Sequence, residues 1–231
     1  MTLTDYMRKA EEDPLAFLFR GVTRPEHKLI PSVARDFKPH TRPLQKLEHY
    51  LFWEFKRRAI PWLAPTFIPH TDWEWLMLAR HHGVRTRLLD WTTNPLVALY
   101  FACLSDPDVD GKVYVLKKLN ELPLEAMHNP FAVDDLYYVR PPHISPRIIA
   151  LASYFTVSRD PKEPLSAPWV VREIVVGKDH KDSLRRHLGH YGISEESLFP
   201  GLDGLARDLK QAADDDNSDY SAAGAMAIKC A

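Results

Sequence analysis

The sequence predicts an α+β domain, a mixed central β-sheet flanked by helices, occupying residues 1–210, with a tail of different character over 211–231. Three observations carry this expectation. Segments with helical apolar spacing and segments rich in β-branched or aromatic residues follow one another irregularly, without the strict alternation of a doubly wound sheet. No internal repeat divides the 231 residues, a length that suits one substantial core. From Gln211 onward Ala, Asp, Ser and Gly replace the apolar periodicity, the pattern of a disordered tail.

Taken in order, the first element is a short helix over Thr4–Ala10, with Thr4 as its cap. Ala16-Phe17-Leu18-Phe19 reads as a buried strand that ends in a turn at Arg20-Gly21. Residues 25–43 carry prolines and charges and read as a surface loop. Leu44, Leu47, Leu51, Phe55 and Ala59 recur at steps of three and four, so Leu44–Ile60 is a helix with Glu48 and Lys56-Arg57-Arg58 on its solvated face. Pro61, Pro65 and Pro69 interrupt regular structure. Thr71 then caps a helix that runs to His81 and stops at Gly83.

Arg87–Asp90 reads as a strand and Thr92–Asn94 as a turn, followed by a nearly all-apolar helix that opens at Pro95 and includes Leu96–Cys103. Lys112–Leu116 is a plain strand, and 147–157 and 169–176 are β-rich. Ser183–His190 forms a helix that ends near Gly192, and Ser194 caps the last helical stretch, which extends to about Lys210.

Composition narrows the function classes. A net charge of −1 argues against an extended basic surface for duplex nucleic acid. Of the two cysteines, Cys103 lies in the apolar helix as a core residue, and with Cys230 it makes no disulfide framework. The start lacks the basic and apolar regions of a signal peptide, and no apolar run approaches the ~20 residues of a membrane span. A cytoplasmic protein without membrane contact is expected. His180, His187 and His190 share no carboxylate or cysteine in ligand register, so no metal is expected.

The residues that suggest chemistry fall in two places. Arg20 ends a buried strand, where its charge needs a partner: a phosphate or carboxylate ligand in a cleft, or an internal acid such as Asp90. Gly21 would let a ligand approach the backbone. The second place is His82, Arg87, Asp90, Trp91, Thr92 and Thr93, crowded before the start of an apolar helix whose free N–H groups suit an anion. Thr92 and Thr93 offer hydroxyl donors or a helix cap, and Trp91 offers a stacking face or a core residue. Arg87 and Asp90 are expected to pair, with Arg85 exposed, and Arg20 is expected beside Asp90-Trp91-Thr92 on one sheet. The partner implied is a nucleotide or dinucleotide. No glycine-rich phosphate loop and no Gly-x-Ser-x-Gly elbow accompanies these residues.

Phe19-Arg20-Gly21, Ile30-Pro31-Ser32-Val33-Ala34-Arg35, His82-Gly83, Thr86 through Pro95 and Ala98-Leu99-Tyr100-Phe101-Ala102 together resemble the FRG-domain family, named for the tripeptide. Looser likeness continues through Lys112–Val115, Arg147-Ile148, Phe155-Thr156, Ser197-Leu198-Phe199-Pro200 and Leu202-Asp203-Gly204-Leu205. The family occurs mainly in bacteria and phages and has no established reaction. The order of motifs also resembles, remotely, the ADP-ribosyltransferases. That resemblance implies Arg20 on an NAD diphosphate, Gly21 on the nicotinamide amide, and Thr92 and Thr93 near the nicotinamide ribose. It also implies a glutamate on a later strand, where this chain reads His143-Ile144-Ser145-Pro146-Arg147 with no acid. The FRG family's usual glutamine near Leu151 and glycine near Ser153 are missing as well. A glutamate elsewhere, such as Glu173, is the candidate to serve in its place. Two functions are implied: NAD-dependent ADP-ribosyl transfer, or a nucleotide- or nucleic-acid-sensing module without turnover. A free acid near the Thr92 hydroxyl favours the first, an acid-free pocket the second.

Overall fold

The computed structural model describes residues 1–35, 37–38, 43–63 and 68–213. It is α+β, built on one six-stranded sheet of order β4-β5-β2-β1-β3-β6. The strands are β1 (Ala16–Val22), β2 (Leu89–Thr92), β3 (Gly111–Lys117), β4 (Tyr137–Val139), β5 (Ser153–Val157) and β6 (Val170–Val176). Every ladder is antiparallel, so the sheet is more uniform than the mixed one expected; the isolated bridge Glu121–Tyr138 is parallel. No described helix is long and apolar enough to cross a membrane.

Several helices begin where short polar residues satisfy free N–H groups. α1 (Leu3–Glu11) is capped by Thr2, two residues upstream of Thr4, because Thr2 and Asp5 form a reciprocal capping box. α2 (Ser32–Arg35) interrupts the segment expected as loop. α3 (Leu44–Ala59) ends one residue short of the expectation. α4 (Asp72–His81) opens with the Thr71–Glu74 capping box and ends before Gly83, at φ +80°. α5 (Pro95–Cys103) is capped by Asn94, whose Oδ1 accepts from Leu96 N, rather than by Thr92 or Thr93. Residues 147–150, expected as the start of a strand, belong instead to helix α6 (Pro146–Ala150), because Ser145 caps it and Pro146 occupies its first turn. α7 (Lys181–His190) gives way at Gly192, at φ +74°, to α8 (Glu195–Leu198), and α9 covers 202–213. The boundary expected at 210 therefore falls inside a helix, and the tail beyond 213, with Cys230, lies outside the described residues.

Alternation along the strands separates two cores. Phe19, Val113, Val115, Ile174 and Val176 pack with α5, including buried Cys103, and with Leu184 and Leu188 of α7. Leu18, Val22, Tyr114, Leu116, Leu89 and Trp91 pack together in a second cluster with Leu29 and Leu119. A third cluster joins α4 to Phe155, Val157 and Val139 at the β4–β5 side.

The close seat of α5 explains two glycines. A Cβ on Gly21 would lie 1.9 Å from the Ala98 carbonyl oxygen and 2.7 Å from Ala102 N. A Cβ on Gly111 would lie 2.3 Å from the Ala102 carbonyl oxygen. Ala98 and Ala102 sit one helical turn apart, so small residues on both surfaces let the helix backbone touch the sheet. Gly21 thus answers to a helix, where the sequence suggested a ligand. It also lies within β1, which runs straight through Arg20-Gly21 to Val22 instead of turning there.

Candidate functional site

β1 and β2 share one register pair, Phe19 with Thr92. This places the Phe-Arg-Gly and Asp-Trp-Thr segments side by side. Beyond that pair the Arg20 guanidinium closes the seam, with Nη1 donating to the Asp90 carbonyl oxygen at 2.6 Å and to Asp90 Oδ2 at 3.4 Å. A side chain here takes over the role of a ladder donor.

Asp90 has a second and better partner that the sequence reading missed. Arg80, in the last turn of α4, donates from Nε to Asp90 Oδ1 at 3.0 Å and from Nη2 to Oδ2 at 2.5 Å, a two-pronged pair. Burial opposes ionisation of Asp90, but Arg80 and then Arg20 outweigh it and hold the carboxyl below the usual carboxylate range. Burial pulls the Arg20 guanidinium down to about 10, still cationic at neutral pH.

This cluster borders a cavity of about 630 Å³ over the β1–β2 seam. α4 contributes Met77, Arg80 and His81, with His82 and Gly83 at its end; α5 contributes Val97, Ala98 and Phe101. Arg147, Ile148 and Leu151 come from α6 and its end, and Ser153 and Phe155 from β5. Thr92 stands opposite Ser153 in the β2–β5 register. Three guanidinium groups and one carboxylate therefore face the space, a cationic excess.

Among the described residues Arg147 has no carboxylate partner; its guanidinium lies 4.5 Å from the centre of the Phe199 ring. Burial lowers its proton affinity, Asp90 partly restores it, and Arg80 lowers it further. His81 borders the same wall, with Nδ1 3.3 Å from Ser145 Oγ. Burial, then neighbouring His82 and Arg147, push His81 down to about 4, so the ring is neutral at physiological pH.

The structure brings Arg20, Gly21, His82, Asp90, Trp91 and Thr92 to the cavity and leaves two expected residues out. Arg87 does not pair with Asp90. It is turned away into a sealed pair with Glu48 of α3, Nε to Oε1 at 3.0 Å and Nη2 to Oε2 at 3.2 Å, while Nη1 donates to the Pro130 carbonyl. The reason is a shift of the strand: β2 begins at Leu89, so Arg87 precedes it. Glu48, expected on the solvated face, is accordingly buried. Thr93 is exposed, and its N–H donates to the Ala152 carbonyl.

Other assignments change in kind. Trp91 is 3% exposed and gives its indole N–H to Thr156 Oγ1, so its ring belongs to the core and offers no stacking face. Thr92 Oγ1 accepts from Asn94 N, tightening the turn into α5. Glu173, the candidate acid, lies on edge strand β6, is half exposed and pairs with Lys112 at 2.7 Å. It does not border the cavity.

The signal for Arg80 was the apolar run Trp75–Ala79 directly before it in the last turn of a capped helix. Arg147 could be suspected as the one charge between Ser-Pro and Ile-Ile. Among the described residues, no three His, Cys, Asp or Glu side chains gather as a metal site.

No curated protein and no solved structure matches the chain. The segment that runs from β1 to the first residue of β3 supplies the seam, α4, the Asp-Trp-Thr strand and α5. Residues 15–111, this same stretch, match the FRG domain.

Proposed function

We propose that the cavity binds a phosphate-bearing nucleotide, of which NAD and ADP-ribose are the reference ligands, and does so without turnover. The observation that supports this most directly is the Arg147 guanidinium, without a carboxylate partner among the described residues, beside a cavity already cationic by Arg20 and Arg80. A guanidinium fork suits phosphate, and partial burial strengthens the attraction. Phe19, Val97, Phe101, Ile148 and Phe155 give the remaining wall an apolar character that fits a base or a nicotinamide ring. Roles divide accordingly. Arg147 takes the phosphate, Arg80 and Arg20 reinforce it while holding Asp90, and the neutral His81 offers its free ring nitrogen to a ligand hydroxyl or amide.

Binding is favoured over ADP-ribosyl transfer because both Asp90 oxygens already accept from guanidinium groups and Glu173 is on the far edge of the sheet. Within the cavity lining no other carboxylate is present to polarise a ribose hydroxyl. Calorimetric titration with NAD, ADP-ribose and ATP tests the reading. Arg147→Ala is expected to weaken binding about ten- to a hundredfold, the value of a charge-assisted contact of about 1.5–3 kcal/mol. No heat with any of the three at millimolar concentration overturns the nucleotide pocket, and release of nicotinamide from NAD would restore the transferase reading.

A further inference from the structure

The segment Ser197-Leu198-Phe199-Pro200 through Gly204 lies beyond the stretch that matches the FRG domain, yet it meets the cavity wall from behind. Two guanidinium groups lie over the Phe199 ring, Arg147 at 4.5 Å and Arg207 at 5.2 Å from its centre. Phe101, a cavity residue of α5, meets the same ring edge-on at 6.1 Å. Arg207 is itself anchored, its Nε donating to Glu195 Oε2 at 3.1 Å. The Phe199 backbone is equally fixed: its N–H donates to the Glu195 carbonyl, and Gly204 approaches so closely that a Cβ would lie 1.9 Å from the Phe199 carbonyl oxygen.

We propose that Phe199 is the positioning residue of the cavity, holding the Arg147 guanidinium at the cavity wall through its ring face so that Arg147 meets the ligand's phosphate in a set orientation. The proposal rests on Arg147 as the phosphate-binding cation. Its physical basis is that, among the described residues, Arg147 has no ion-paired carboxylate to fix it, and the aromatic quadrupole is the contact that remains. An acid in that place would fix the side chain equally well but would consume the fork. A ring fixes it and leaves all the N–H donors available, which is what a binding cation requires. Gly204 and Arg207 then explain the rest of the segment: the first lets the turn close on Phe199, and the second lies over the same ring.

The experiment is a double-mutant cycle on the full chain with ADP-ribose as the probe, read together with the side-chain Nε–Hε resonance of Arg147 by NMR. Phe199→Leu should weaken ADP-ribose about two- to tenfold, the range of a cation–π contact. Phe199→Trp, which keeps a ring face, should bind within about twofold of wild type. In the Arg147→Ala background Phe199→Leu should cost nothing further, whereas a residue of merely structural importance would weaken both backgrounds alike. In the free protein Phe199→Leu should move and narrow the Arg147 resonance as the side chain gains freedom, and Phe199→Trp should not. An unchanged Arg147 resonance in a folded Phe199→Leu protein, or equal losses in the two backgrounds, overturns the proposal. If wild type binds no probe, the nucleotide reading fails by itself, and the resonance still decides whether Phe199 positions Arg147. Should Phe199→Leu fail to fold, the resonance in Phe199→Trp and in Arg207→Ala, which removes the ring's other cation, decides in its place.

Discussion

Two guanidinium–carboxylate clusters lie close together in the chain and differ in every respect that matters. Arg87 and Glu48 form a one-to-one pair with both side chains 3% exposed, and the leftover donor of Arg87 is spent on the Pro130 carbonyl. Asp90 faces two guanidinium groups, its side chain 38% exposed, at the edge of a cavity that a third guanidinium borders. The first cluster is electrically closed. The second holds surplus positive charge beside a cavity open to solvent. Balance and burial together mark a brace, whereas imbalance and partial exposure mark a candidate binding surface, and the identity of the residues distinguishes neither.

The sharpest way to break this comparison is to remove one partner of the sealed pair. Arg87→Ala strands Glu48 and is expected to cost about 3–5 kcal/mol, read as a drop in the denaturant midpoint. The double change Arg87→Met with Glu48→Leu should recover most of that loss, since a packed apolar pair replaces the buried charges. Arg80→Ala should cost clearly less, because solvent screens its partner; an equal loss would erase the distinction between the clusters.

Asp90→Asn sharpens the contrast in a direction ordinary truncations do not take. Removing the carboxylate frees the forks of Arg80 and Arg20, so anion affinity should rise even as stability falls modestly. A fall in ADP-ribose affinity on titration would show instead that Asp90 orders the cavity more than it competes with the ligand.

The pH response separates the clusters further. His81 titrates near 4 in the folded chain and near its ordinary 6.5 once unfolded, so the unfolded state binds more protons between those values. Its contribution to stability is full above about pH 6.5 and is lost as pH falls toward about 4. Urea midpoints across this window should show the loss, and His81→Gln should flatten it. The smallest effect belongs to exposed Arg85: its change to Ala should stay within about 0.5 kcal/mol, and a larger shift would reveal a partner outside the described residues.

Legibility of the sequence followed local punctuation. Thr71 and Gly83 bounded α4, Pro95 opened α5 and Gly192 ended α7, because caps and breakers act within a turn or two. Failures came where tertiary partners decided. Arg87 stood three residues from Asp90, which made a pair look natural, yet its acid was thirty-nine residues upstream on a helix whose polar face seemed destined for solvent. The Ile148-Ile149 run read as strand, although Ser145-Pro146 before it was a valid helix start. In the candidate site, β1 and β2 were legible as neighbours because both apolar segments end in polar residues. Arg80 and Arg147 left only faint local signs, since an apolar neighbourhood alone does not separate a guanidinium with a cavity before it from one facing solvent.

The seam between β1 and β2 also has a mechanical meaning. In backbone pairing, β4-β5-β2 meets β1-β3-β6 through one register pair reinforced by the Arg20 side chain, beside the apolar packing of Leu18 and Val22 with Leu89 and Trp91, while β1 and β3 are paired along nearly their whole length. The sheet is in effect two plates with a thin weld. Because the cavity spans that weld, with Arg20 on one plate and Arg147 leading into the other through β5, a ligand gripping both acts as a rivet across it, and its arrival would be felt as stiffness throughout the sheet.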